Sequence, residues 1–500
     1  MSDAAAPATT STGLARRLGF MGLAATGICS MLGAAINVVP FMLQRNVPGI
    51  GPYVMQAYLF AAVPAILAAL AYAILASAMP RAGGSYIYAS RGLHPYLGFV
   101  ASFSQWFGLS IAIGVVSYVL IPFVRDVFAA LGIDGIAALL DTGPVRVGLA
   151  LAFLWTSVAI NMRGLQLYER ILVPLMFLMF VLGGVVIVAG FLFDQGDFAA
   201  GLLASEGVTV PDAAPAEFSW TSFLAASAIL FSSFIGFDSI AQAGGEAKNP
   251  GRSLPLAIGV SVVTVGTFYL LFTAAVYHTV PWQFVAERAM SQDLTAPGLL
   301  GYVLSPTWTV LIVLGAAIAL VNDLPAMLLA VSRLMFAWAE DGVFPKAVSR
   351  VHERWHTPTV ALMLSGLMAS AAILGSHFAG DFFLGVDILV TSMLVNFMVM
   401  CMAVLWLPRI NPGIAADVTV VPNRRLQVPL AVAGIALLLV FLGVHVRKDL
   451  TAELDAWYFH STPLWLIVLG IASLIYAREL SRLKKSGVDT HQLFRTLPPE

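Results

Sequence analysis

Twelve separate apolar runs, each long enough to cross a hydrocarbon layer, recur along this chain, and no other feature limits its fold as much. They are read at 18–43, 53–78, 97–123, 145–160, 171–193, 220–243, 254–277, 308–331, 359–377, 383–407, 428–446 and 463–477. Lipid offers no partner to a backbone N–H or C=O group, so segments of this length must close their hydrogen bonds internally as α-helices. The expected fold is therefore an all-α integral membrane protein. Composition agrees: 59% of residues are hydrophobic, 11% are charged and the mean hydropathy is +0.88, which leaves too little polar surface for a water-soluble domain. Cys29 and Cys401 both sit inside apolar runs, which excludes a disulfide framework or a cysteine zinc pattern and reads as packing. A net charge of −1 carries no nucleic-acid signal. Met1 to Ala15 reads as a disordered small-residue tail, and Arg16 and Arg17 precede a run too long for the core of a signal peptide.

Basic residues orient the spans. With a cytoplasmic N-terminus, only Arg45, Arg125, Arg146, Arg288, Arg447 and Lys448 fall outside, six of the 26 Lys and Arg, leaving twenty inside. That bias predicts both termini in the cytoplasm and a multi-pass protein of the cell inner (plasma) membrane. The segments from Asp194 to Glu217 and from His278 to Pro306 are then outside and read as loops.

Two runs carry residues that a lipid-facing helix would not choose. The first holds Gly27-Ile28-Cys29-Ser30-Met31-Leu32-Gly33-Ala34-Ala35-Ile36-Asn37 at mid-span, and the sixth holds Ser232-Ser233-Phe234-Ile235-Gly236-Phe237-Asp238. Small residues alone serve close helix packing. A paired occurrence five spans apart, with the Asp238 carboxylate beside Gly236, reads instead as two helices that unwind near the bilayer midplane, where freed backbone groups can hold a solute or ion.

Other polar groups stand out against the apolar background. Asn322 and Asp323 lie in the middle of the eighth run, followed by Pro325; the pair reads either as a structural hydrogen bond or as a group that titrates or binds a cation. Glu246 and Lys248 read as gate or loop ion pairs, of small value if solvated. His352-Glu353-Arg354-Trp355-His356 matches H-E-x-x-H literally, which would make a membrane-embedded zinc metallopeptidase, but Thr357-Pro358 follows at once and would end the helix that such a site needs. No repeated pore segment supports a channel. No metal, cofactor, nucleic acid or enzymatic activity is expected.

At these residues the chain resembles the amino acid, polyamine and organocation superfamily. The resemblance rests on Met31-Leu32-Gly33-Ala34-Ala35-Ile36, on Met79-Pro80-Arg81-Ala82-Gly83-Gly84-Ser85-Tyr86 and on Asn161-Met162-Arg163-Gly164. It is most specific at Ile235-Gly236-Phe237-Asp238 with Gly245-Glu246-Ala247-Lys248-Asn249-Pro250-Gly251-Arg252-Ser253-Leu254-Pro255, and it continues through Ser332-Arg333, Glu340-Asp341-Gly342-Val343-Phe344-Pro345, Val351-His352 and Thr357-Pro358.

That resemblance implies a core of two inverted five-helix repeats, 18–193 and 220–407, joined by an outside loop at 194–219. Spans eleven and twelve follow at 408–480, with cytoplasmic tails at 1–17 and 481–500. It implies a secondary transporter of an amino acid or related small organic amine. Its substrate site would lie at Met31, Leu32, Gly33, Ala34 and Ala35 with Phe231, Ser232 and Ile235, while Asp238, Asp323, Asn322 and Glu246 serve coupling or gating. The sequence departs from the family at three places. Ala35 replaces a glycine, which alters the expected carboxylate nest. Ser232 stands where an aromatic lid is common, leaving Phe231 or Phe234 to substitute, and Met179 stands near the lysine of many proton-coupled members. Coupling to a proton and ion-free exchange of substrate both remain open from these residues.

Overall fold

A computed structural model of the protein describes residues 13–33, 35–211, 217–379, 382–453 and 456–499. Of the expected N-terminal tail only Gly13 to Ala15 is described, and Ala34 also lies outside the described residues. Twelve helices are long and apolar enough to cross a membrane. Spans 1 to 6 are Phe20–Asn46, Gly51–Ala78, Pro95–Ala130, Gly143–Met162, Leu165–Leu192 and Trp220–Gln242. Spans 7 to 12 are Pro250–Thr279, Pro306–Glu340, Thr359–Phe378, Leu384–Ile410, Arg424–Thr451 and Ser461–Lys485. Among the described residues the only β pairing is two isolated bridges, Leu18 with Ala247 and Ala82 with Ala243.

Several helices outrun the apolar stretches that announce them. Span 8 continues to Glu340, because a helix goes on satisfying its own backbone after the chain has left the lipid. Irregularities recur five spans apart. Spans 1 and 6 are interrupted, and the connections after spans 2 and 7 carry helices: Gly84–Gly92 after span 2, Trp282–Ala289 and Ala296–Leu300 after span 7. Spans 3 and 8, of 36 and 35 residues, pack against each other more extensively than any other pair.

The two segments read as loops are partly helical. Gln195–Glu206 is a helix because the Asp194 side chain accepts from the backbone of Gly196 and Asp197 while the Asp197 carboxylate accepts from the Asp194 N–H at 3.0 Å. Its last residue meets the following connection: hydrogen bonds from Tyr302 and then Arg288 hold the Glu206 carboxyl below the usual carboxylate range.

Candidate functional site

Span 1 is two helices, Phe20–Met31 and Ala35–Asn46. The first ends at Leu32, whose ψ of 69° leaves the helical region, and Gly33 turns back to donate to the Met31 carbonyl at 3.0 Å. Ala35 opens the second helix, so alanine stands at a position whose conformation does not call for glycine. Span 6 also breaks. The helix Trp220–Leu230 tightens into a 3-10 turn over Phe231–Phe234, Ile235 is extended, and Gly236 has a φ of 137° before a short helix resumes at Asp238–Gln242.

The two interruptions touch. A Cβ on Gly236 would stand 2.4 Å from the Ser30 carbonyl oxygen and 2.8 Å from the Met31 nitrogen, so the backbones cross with no room for a side chain. Gly236 meets two demands that only glycine satisfies together, a left-handed φ and a backbone neighbour at contact distance.

Around this crossing the expected site residues separate. Met31, Leu32 and Gly33 are buried at the break, and the Met31 carbonyl accepts from the Tyr269 hydroxyl of span 7 as well as from Gly33. Phe231 packs away from span 1, against Phe397 and Phe441 at 6.1 and 5.9 Å. Phe234 instead packs on Tyr58 and Tyr269, at 5.8 and 6.1 Å, and so joins the ring cluster beside Met31. Ser232 donates to the Ile229 carbonyl, and its own carbonyl accepts from Ile235. A narrow cleft runs from Leu32, Gly33 and Asn37 to Met179 of span 5, which puts a thioether at the position where many proton-coupled members of the resembled family carry a lysine.

Two carboxyls lie deep in the spans. Asp238 is fully buried; one oxygen accepts from Gln105 of span 3 at 2.6 Å and the other has no hydrogen-bond partner among the described residues. Asp323 is 5% exposed, with one oxygen against Gly33: a Cβ there would meet it at 2.6 Å. Asn322 donates to the Cys29 sulfur and the Leu172 carbonyl, which ties span 8 to spans 1 and 5. A further polar set was not singled out from the sequence. Asn396 donates to the Tyr72 hydroxyl at 2.7 Å, Tyr72 bonds Ser85 at 2.6 Å, and Gln242 donates to Ser85 at 2.6 Å, all buried below the span 6 break. Its only sequence signal is polar residues isolated inside apolar runs.

Glu246 forms an ion pair, but not a solvated one. The Arg333 guanidinium grips it through both oxygens, at 2.7 and 2.9 Å, and neither side chain is exposed at all. The Glu246 carbonyl also accepts from the N–H groups of Arg17 and Leu18, so the start of span 1, the end of span 6 and span 8 are fastened at one face. A second buried pair on the same face joins Arg91 to Asp341, which also accepts from the Tyr86 hydroxyl. The C-terminal residues fold over this face. Asn411 donates to the Arg495 carbonyl, Arg91 to Thr496 and Arg81 to Pro498, at 2.8, 3.1 and 3.0 Å. Deleting residues 487–500 removes three acceptors from buried or half-buried donors. It is expected to cost about 1–3 kcal/mol, read as a lower thermal midpoint of the purified protein. An unchanged midpoint would show that the tail adds nothing to the fold.

The H-E-x-x-H motif is a turn. His356 has a φ of 52° and its N–H donates to the His352 carbonyl at 2.8 Å, so the two histidines do not share a helix face. Among the described residues no group of three or more His, Cys, Asp or Glu is placed to hold a metal ion.

Comparison with known proteins gives the same answer as this geometry. A family model described as "Amino acid permease" matches residues 18–487. The chain is 28% identical over 392 residues to the cationic amino acid transporter 4 of Mus musculus, covering 73% of this chain and 56% of that one. It is 26% identical over 365 residues to the vacuolar cationic amino acid transporter 4 of Arabidopsis thaliana, covering 72% and 58%. With the low-affinity putrescine importer PlaP of Escherichia coli it shares 26% over 356 residues, covering 69% and 70%. The chain thus spans little more than half the length of the mouse and plant relatives. A fold of twelve helical spans, broken at the first and sixth and carrying the expected motifs, together with a match along nearly its whole length, shows that the chain belongs to the amino acid permease family.

Proposed function

We propose that this protein is a secondary active transporter, carrying an amino acid or related small organic amine across the cell inner membrane by alternating access. Both termini are cytoplasmic in this reading, as the twenty-to-six distribution of basic residues favours. The observation that carries it is the direct backbone contact between the two interrupted spans, Gly236 on Ser30 and Met31. Helix ends that meet at such a crossing present unpaired N–H groups to an anion and carbonyls to an ammonium, so cargo can be held without dedicated side chains. Met31, Leu32 and Gly33 supply one wall; Ser232, Phe234 and Ile235 supply the other. Asp238, Asn322, Asp323 and Glu246 govern coupling and gating, Glu246 through its buried pair with Arg333. The relatives support the cargo class, being a cationic amino acid transporter and a putrescine importer by name.

The apolar Met179 in the cleft beside Gly33 favours a second reading, ion-free exchange of one substrate for another. Counterflow tests both. Proteoliposomes preloaded with unlabelled lysine or putrescine are expected to accumulate the labelled compound with saturation and trans-stimulation. Uptake into vesicles without internal substrate that a protonophore abolishes marks proton coupling, whereas labelled uptake that requires internal substrate and survives the protonophore marks exchange. A linear, non-saturating flux without trans-stimulation would overturn the carrier reading.

A further inference from the structure

The unpaired carboxyl of span 8 narrows the cargo further, on the premise that cargo binds at the two breaks. Asp323 lies ten residues before Arg333 on the same helix, about 15 Å along its axis, so the guanidinium already bound to Glu246 is out of reach. Among the described residues, the titratable side chains that neighbouring spans bring near Asp323 are Cys29, which accepts from Asn322, and Tyr269, bonded to the Met31 carbonyl. Neither is a cation. Asp323 Oδ2 rests against Gly33, and Oδ1 has no hydrogen-bond partner among the described residues. An ionised carboxylate in this state costs several kcal/mol, a cost that is removed either by a proton or by an arriving positive group that pairs with it. On the other flank of Met31, Tyr58, Phe234 and Tyr269 form a contiguous ring cluster, whose faces attract cations, and the Tyr58 hydroxyl is also without a partner among the described residues.

We infer that Asp323 is the counter-ion for a primary ammonium of the cargo, and that the cargo is an organic cation, a diamine or a dibasic amino acid, in preference to a neutral amino acid. The ammonium N–H donates to Oδ1, and the carboxylate needs no other cation while cargo is bound. Span 8 thereby senses occupancy of the break in span 1.

Competition against labelled lysine or putrescine in proteoliposomes tests this, with leucine and alanine as neutral competitors. Asp323→Asn keeps the shape and removes the charge, and is expected to weaken lysine and putrescine by about 10- to 100-fold relative to the neutral pair. An equal loss for cationic and neutral competitors overturns the inference. So does a sodium dependence that vanishes in Asp323→Asn while selectivity stays, since the carboxyl would then serve an inorganic ion. Asp323→Glu covers the case in which the Asn variant fails to assemble. It moves the charge outward by one methylene, so the preferred diamine is expected to shorten from putrescine to 1,3-diaminopropane; an unchanged optimum overturns the inference. If selectivity is untouched by Asp323→Asn while Gly236→Ala still abolishes uptake, the site at the breaks stands and the counter-ion falls. If Gly236→Ala transports normally, it is the site itself that falls.

Discussion

Gly236→Ala is expected to abolish uptake, lowering the initial rate at least about 100-fold, equivalent to about 2.7 kcal/mol, in proteoliposomes matched for protein content. Two independent costs add. A φ of 137° is a region that an L side chain occupies only with strain of about 1–3 kcal/mol. The new Cβ would also lie 2.4 Å from the Ser30 carbonyl oxygen, a backbone atom that cannot swing aside, so the crossing must open. Opening it separates the two sets of helix ends on which the proposed site depends. Gly259→Ala is the control. Gly259 sits on span 7 with nothing within 4 Å of an added Cβ, and alanine favours the helix by about 0.8–1 kcal/mol. Uptake in that variant is expected to match the parent protein, and an equal loss in both would point to a general intolerance of alanine in these helices.

Arg333→Met carries the second large effect. It strands Glu246, which has no exposure to water, and removing one member of such a buried pair costs about 3–5 kcal/mol. The Arg333 guanidinium also donates to Ser332 at 2.8 Å, so both its ends are satisfied in the parent protein. The expected result is a marked fall in the thermal midpoint of the purified protein and in assembled yield. Pairing the change with Glu246→Gln removes both charges together, and the double variant is expected to be more stable than the sum of the single losses, since no uncompensated charge remains. Additive losses would mean that the two side chains do not depend on one another.

How far each feature could be read from the sequence follows from the range of the forces that make it. The twelve spans were legible because hydration of the backbone is a local matter, settled within about twenty residues. Both helix breaks were legible for a related reason: Gly33 and Gly236 sit among small and polar residues where a lipid-facing helix would carry leucine or valine. The helix Gln195–Glu206 is written in a local signal, the Asp194 and Asp197 cap, but a polar stretch outside the apolar runs reads as a loop when only hydropathy is followed. Burial of Glu246 was not legible, because its partner lies 87 residues away and only the packing of span 8 excludes water from both. The set formed by Tyr72, Ser85, Gln242 and Asn396 is of the same kind, with Asn396 reaching across 324 residues to Tyr72. Sequence also left Phe231 and Phe234 equivalent as lids. Which of them turns toward Met31 is decided by the 3-10 turn at that point of span 6.

An electron cryomicroscopy structure of the full chain with saturating lysine or putrescine tests the central claim most directly. The expected map places the ligand between Met31–Gly33 and Ser232–Gly236, with its polar atoms within hydrogen-bond distance of the backbone freed by the two breaks. Density for the ligand elsewhere, with spans 1 and 6 wound as continuous helices through Gly33 and Gly236, would contradict it.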